Sequence, residues 1–285
     1  SEGAFLGAGV GAAMAGLRPV VEIYMVDFLG VCMDALINHA AKADAFSGGK
    51  WQVPMVVRAP CGGGYGDAGQ HEQSLWGWLA HIPGLTVLVP STPADAGGLM
   101  TSALQYDGPV VFLEHKLLSE MWVEFLGSGG RKTISYDLPE KGTKGPVPEI
   151  WEPVPIGKAH LCRSGSDITI VTVGVGVHRA LQAASELESQ GISAGVLDLR
   201  SVSPLDKPAI VEEAGRSGRL LAVDEDYESF GLSGELAAVV LEAGLSIKFG
   251  RVCTQTTIPY ATGLETRTLP NTKRICKAAH RLMAD

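Results

Sequence analysis

The stretch DITIVTVGVGVHRALQAASELESQGISAGVLDL, Asp167–Leu199, decides the fold class. Asp167–Val173 is a run of β-branched and apolar residues, as expected of a strand buried on both faces. Val177–Gln190 then carries apolar residues at helical spacing, with Glu and Gln between them. Ala194–Leu199 is a second short apolar run. Strand, helix and strand in succession make a βαβ unit, in which two parallel strands are joined by a crossover helix.

The same alternation extends in both directions. Downstream, Lys207–Gly215 reads as a helix, Leu220–Val223 as a strand, Ser233–Ala243 as a helix, Lys248–Cys253 as a strand and Asn271–Met283 as a terminal helix. Upstream, strands are expected at Pro19–Tyr24, Val53–Arg58, Leu85–Val89 and Val110–Leu113. Helices are expected at Leu29–Ala45 and Leu75–His81, with a further one starting at Pro93. Ser91 or Thr92 caps that last helix, with proline at its first position and Asp95 in its first turn. Between the two sets, Ser119 to Pro155 holds Pro139, Pro146, Pro148, Pro153 and Pro155 with several glycines and mixed charges. That composition suits an extended connection. The expectation is an α/β chain of two doubly wound domains, residues 1–118 and 156–285, joined by a linker over 119–155.

Composition narrows the function classes. Of the 285 residues, 46% are hydrophobic and 19% charged, which suits a folded chain and excludes a largely disordered one. A net charge of −8 argues against nucleic acid as a partner, since phosphate binding needs clustered Lys and Arg. No apolar run reaches the roughly 20 residues that span a bilayer, and SEGAFLGAGVGAAMAG lacks the basic start of a signal peptide. Cys32, Cys61, Cys162, Cys253 and Cys276 are scattered, with no CxxC, so zinc is unsupported and a cytoplasmic location with reduced thiols fits.

Several stretches together carry a family resemblance. They are SEGAFLGAGVGAAMAGLRPVVEI, VDFLGVCMDALIN, QHEQSLWGWLAHIPGLTVLVPSTPADAGGLM and FLEHKLL, followed by PIGKA, LDLRSVSPLD and TIPYATGLE. They resemble the β subunits of thiamine-diphosphate-dependent 2-oxo acid dehydrogenase first components, and VDFLGVC resembles the acetoin dehydrogenase branch especially. The resemblance implies a transketolase-like pyrimidine-binding domain followed by a transketolase C-terminal-like domain. It also implies a segment ahead of Ser1. The implied reaction decarboxylates a 2-oxo acid or cleaves acetoin, then passes an acyl unit to a lipoyl acyltransferase.

Residue roles follow from the same resemblance. Glu2 matches the glutamate that hydrogen-bonds N1′ of the aminopyrimidine. A carboxyl in an apolar pocket has a raised pKa and can share a proton there. Phe28 matches the aromatic that stacks on that ring, and Tyr24 a pocket-lining position on the same strand. His71, in GQHEQS, matches a histidine near the reacting carbon and the lipoyl path. His81 and His115 read as structural. Backbone carbonyls of Met55, Ala103, Leu104, Tyr106 and Gly108 match a potassium site.

Read on residue type alone, Glu2 is a solvated glutamate and His71 a loop histidine bonded to backbone. Gly62, Gly63, Gly64 and Gly66 lack phosphate-loop spacing and read as a loop lining the site's entrance with a partner. Gly174-Val175-Gly176 reads as a tight turn, because the family's second domain does not bind the diphosphate. Asp224, Glu225, Asp226 and Glu228 read as a solvated acidic loop.

The GDG…N segment that binds magnesium and diphosphate in thiamine enzymes is missing, and GYGDAG is not that motif. An α subunit is therefore expected to hold Mg2+ and share the cofactor in an α2β2 tetramer docked on a dihydrolipoyl acyltransferase core. A split transketolase-type subunit and a non-catalytic scaffold subunit are the competing readings.

Overall fold

The computed structural model describes residues 1–119, 121–124 and 145–284. Helix α1 (Glu2–Met14) opens the chain. It leads into β1 (Val20–Glu22), then β2 (Val56–Cys61), β3 (Thr86–Leu88) and β4 (Val110–His115). Short helices α2 (Ala43–Ser47) and α3 (Trp76–Ala80) and the longer α4 (Pro93–Gln105) lie between these strands. After residue 145 come β5 (His160–Arg163), β6 (Ile168–Thr172), α5 (Val175–Glu188), β7 (Ala194–Asp198) and β8 (Ser201–Ser203). Helix α6 (Lys207–Ser217), β9 (Arg219–Tyr227), α7 (Leu232–Glu242), β10 (Lys248–Thr254), α8 (Thr262–Thr268) and α9 (Thr272–Ala284) complete the chain.

The strands form two sheets, ordered β1-β2-β4-β3-β8 and β10-β9-β6-β7-β5. All pairings are parallel except β3 with β8 and β5 with β7. β6 and β7 are buried along their whole length, because helices cover both faces of the sheet. β5 and β8 were not anticipated. Each is short and lacks apolar alternation, so periodicity gives no signal for it. β8 also leaves its own sequence neighbours and joins the first sheet, pairing Val87 with Ser203 and Leu88 with Ser201. One apolar core accordingly runs through both halves, from Leu6, Ile23 and Leu36 to Val171, Leu197 and Leu236.

The helix expected over Leu29–Ala45 is broken. A 3-10 stretch covers Val26–Cys32, a π turn covers Ala35–Ala40, and α2 follows. The Cys32 thiol donates to the Leu29 carbonyl at 3.4 Å. The Ala41 amide donates to the carbonyl of Leu36, five residues back. The Thr92 cap is as expected, its hydroxyl accepting from the Asp95 amide at 3.1 Å.

Most of the expected 119–155 connection lies outside the described residues. Its last part packs on α4. The Val154 amide donates to the Gly98 carbonyl at 3.0 Å, and the Ser102 hydroxyl donates to the Val154 carbonyl at 2.6 Å. A Cβ at Gly97 would overlap the Trp151 ring, so the glycine is what admits the indole. Gly97→Ala should displace Trp151 and lower stability by about 1–3 kcal/mol. A red-shifted indole emission with a lower melting temperature would show it, and an unchanged melt would contradict this account.

Candidate active site

The carboxyl ends of β1, β2 and β4 lie side by side, which is where open parallel sheets place their ligand sites. The chain leaves β1 through Tyr24, Asp27 and Phe28. It leaves β2 through the glycine loop and reaches His71 in the turn that follows the 3-10 residues Ala68–Gln70. Phe28 and His71 meet edge to face, with ring centroids 5.8 Å apart. Asp27 ties the two segments together, its Oδ1 accepting from the Gln73 amide at 3.3 Å and from Gln73 Nε2 at 2.9 Å. Burial raises the Asp27 carboxyl, against the opposing effect of Gln73.

The other expected residues are placed less tightly. Glu2 sits in the first turn of α1 with 41% of its side chain exposed, 3.7 Å from the terminal ammonium. This chain alone does not give it the apolar enclosure expected above. Helix α1 does start beside the Val26–Cys32 turn, since a Cβ at Gly3 would touch the Val31 carbonyl at 3.4 Å. The charge of Glu2, after burial, helps to raise the Cys32 thiol to about 11. Tyr24 is exposed and its ring lies 5.4 Å from that of Trp122. His81 is exposed on the surface, while His115 is fully buried.

Four of the five expected potassium carbonyls have hydrogen-bond partners within the chain. Arg18 Nη1 donates to the carbonyls of Leu104 (3.1 Å) and Tyr106 (2.9 Å), and its Nη2 also reaches Asp107. The Met55 carbonyl accepts from the Val110 amide and that of Ala103 from the Tyr106 amide. A guanidinium on two of the five oxygens is a poor neighbour for a second cation, so these carbonyls do not fit a potassium ion. Among the described residues, no group of three or more His, Cys, Asp or Glu is arranged to hold a metal.

The glycine loop is held by hydrogen bonds inside this chain. Amides of Tyr65 and Asp67 donate to Glu72 Oε1 at 3.1 and 2.9 Å, those of Gly64 and Gly66 to Glu265 Oε1 at 3.2 and 3.1 Å, and that of Gly63 to Glu225 Oε1 at 2.8 Å. Gly62 adopts φ +85° and passes so close to the His115 ring that a Cβ would overlap it. Gly174, at φ +55°, makes a turn packed against Val89, consistent with tight geometry rather than a ligand cradle.

Three of the four acids in the acidic run are likewise buried rather than solvated, while Glu228 stays partly exposed and pairs with Arg251 at 3.4 Å. Asp224, Glu225 and Asp226 lie in β9, and each grips the first sheet's side. Trp76 Nε1 donates to Asp224 at 2.8 Å, the Gly77 amide to Asp226 at 2.8 Å, and Arg179 Nη1 to Glu225 at 2.6 Å. His115 Nε2 also lies 2.8 Å from Glu225. Burial works against ionised Glu225, yet His115, then Arg179 and the Gly63 amide, hold it down at about 2. Burial also lowers the His115 ring towards neutrality, so the always-charged Arg179 is the dependable cation of the trio. Below them, Ser91 donates to Asp198, whose carboxyl burial pushes up to about 7, and Arg200 pairs with Asp95 at 2.6 Å.

These landmarks define a two-domain thiamine-enzyme fold of the transketolase class. Residues 1–120 match the transketolase pyrimidine-binding domain and residues 157–275 the transketolase C-terminal domain. The β subunit of acetoin:2,6-dichlorophenolindophenol oxidoreductase from Cupriavidus necator is 39% identical, over 99% of this chain and 78% of that protein. The 2-oxoisovalerate dehydrogenase subunit β of Bacillus subtilis is 43% identical, over 85% of this chain and 68% of that protein. A solved split-gene transketolase, an inactive β4 tetramer, superimposes with a TM-score of 0.78 at 21% identity, covering 100% of this chain and 82% of its own, and shows the shared fold. The chain belongs to the family of β subunits of thiamine-diphosphate-dependent 2-oxo acid and acetoin dehydrogenases.

Glu72 is fully buried with its Oε2 unpartnered, while Glu265 receives two amides of the same loop. Burial first, then Glu265, raises Glu72 far above the ordinary carboxylate range. A carboxyl raised in the folded state contributes stability at low pH that is lost as pH climbs towards the raised pKa. Thermal melts of the wild type should therefore fall between about pH 4.5 and about pH 9, by at most ~1.4 kcal/mol per unit for each proton. Glu72→Gln, which mimics the protonated acid, should flatten that decline. Parallel curves for the two proteins would sink the account of a raised Glu72 carboxyl.

Proposed function

We propose that this chain supplies the pyrimidine half of a thiamine diphosphate site, acting on acetoin or a small 2-oxo acid. The observation that carries the proposal is the meeting of Phe28 and His71 at the carboxyl edge of the first sheet, beside the start of α1. A half-buried aromatic ring there fits a planar heterocycle. Phe28 would stack on the aminopyrimidine, Glu2 would hold its N1′ edge and Tyr24 would line the pocket. When bound, the cofactor supplies a nucleophilic carbon and an electron sink for the substrate carbonyl. Glu2 would hold a proton at N1′, and the partner chain would complete the enclosure that this chain leaves open. His71 would donate a hydrogen bond from the rim of the site.

The diphosphate and its Mg2+ are assigned to an α subunit, because this sequence lacks the GDG…N motif. The assembly we propose is an α2β2 tetramer that passes acyl groups to a lipoyl acyltransferase. A cytoplasmic setting agrees with five free cysteines. Among the described residues, no helix is long and apolar enough to cross a membrane. The carbonyls around Arg18 give no role to potassium here.

Co-expression with an α subunit should give dye reduction with acetoin, pyruvate or branched 2-oxo acids when thiamine diphosphate and magnesium are present. Glu2→Gln should cut kcat by about 100-fold or more, as expected when a general acid–base group is removed. Full activity of that variant would refute the role of Glu2. A stable complex with no turnover of any of these substrates would refute the enzymatic reading.

A further inference from the structure

Lys116 follows β4 in the 3-10 turn Lys116–Leu118 and points into the protein. Its side chain is 0% exposed, and its Nζ has no hydrogen-bond partner among the described residues. The ammonium stands 5.3 Å from the centroid of the Tyr65 ring. Asp27 lies nearby with the complementary problem, for its Oδ2 is buried and unpartnered. The two act on each other electrostatically. The other titratable groups facing Lys116 are Cys61, Glu72, Glu225 and His115.

An unpaired buried amine costs several kcal/mol, and a Met or Leu would fill the same volume without that cost. Packing therefore does not account for a lysine here. Its two neighbours do. Asp27 holds Gln73 and precedes Phe28 in the chain, while Tyr65 donates its hydroxyl proton to the carbonyl of His71. Lys116 thus stands behind both ring-bearing groups of the site.

We infer that Lys116 is a positioning residue for the thiamine reaction, acting through Asp27 on the turn that presents Phe28 and through Tyr65 on the backbone of His71. The inference rests on the cofactor reading proposed above. Its charge and that of Asp27 form one couple, in which each makes the other tolerable in the interior. Removing one member leaves the other stranded, and removing both does not.

The test uses the complex with the α subunit and the variants Lys116→Met, Asp27→Asn and the double substitution. Cofactor affinity is read from quenching of tryptophan fluorescence, alongside kcat, KM and melting temperature. Lys116→Met should weaken cofactor binding about tenfold or more and lower kcat, with KM for the oxo substrate little changed. The double variant should recover most of the affinity. Lys116→Gln carries the same test should the Met variant not accumulate. Wild-type affinity and kcat in the lysine variants would overturn the inference, as would single and double losses that simply add. A lowered melting temperature with unchanged affinity would mean a purely structural lysine. If the wild-type complex itself binds no cofactor, the underlying reading fails, and the two failures are told apart by that control.

Discussion

Five consecutive amides, Gly63 to Asp67, end on three buried carboxyl groups. Two of those groups, Glu225 and Glu265, belong to the second half of the chain, and the third, Glu72, follows the loop itself. A run of parallel N–H groups is a natural anion receptor. In many enzymes such a loop receives phosphate, and here the protein's own side chains take that place. Everything nearby follows from this choice. The loop can be glycine-rich because its conformation is fixed by its hydrogen bonds. His115 can lie against Gly62 because there is no Cβ in its way. His71, a few residues beyond, inherits a defined position.

The electrostatics of the interface follow the same logic. Asp224, Glu225 and Asp226 crowd three acids into the end of one strand, and each is matched to a donor across the interface, Trp76, the Gly63 amide and the Gly77 amide respectively. Buried acids without counter-charges are raised by burial, whereas Glu225, held by Arg179 and His115, is lowered. Polar groups arranged this way fix the mutual register of the two sheets more than they add net stability.

The two-domain α/β architecture was legible because long apolar strands and amphipathic helices carry a strong periodic signal, as in Asp167–Leu199. The family landmarks likewise located Phe28 and His71, which the fold brings together. The partners of the glycine loop were not legible. Glu72, Glu225 and Glu265 are far apart in sequence, and a carboxylate reads as solvated until a long-range contact buries it. Lys116 escaped attention for the same reason. Arg18 could have been suspected from GLRP, yet nothing in that motif says that its guanidinium reaches Leu104 and Tyr106. Breaks such as that in Leu29–Ala45 depend on local competition among backbone acceptors, to which hydrophobic spacing is blind.

β8 carries one more consequence. By lying antiparallel on β3, it occupies what would otherwise be the raw margin of the first sheet. Open margins recruit other strands and drive aggregation. The first half of this chain therefore depends on three residues encoded some eighty positions after its last strand. A fragment cut anywhere between the halves would carry a sticky border, so these two domains are separable on paper but interdependent for solubility.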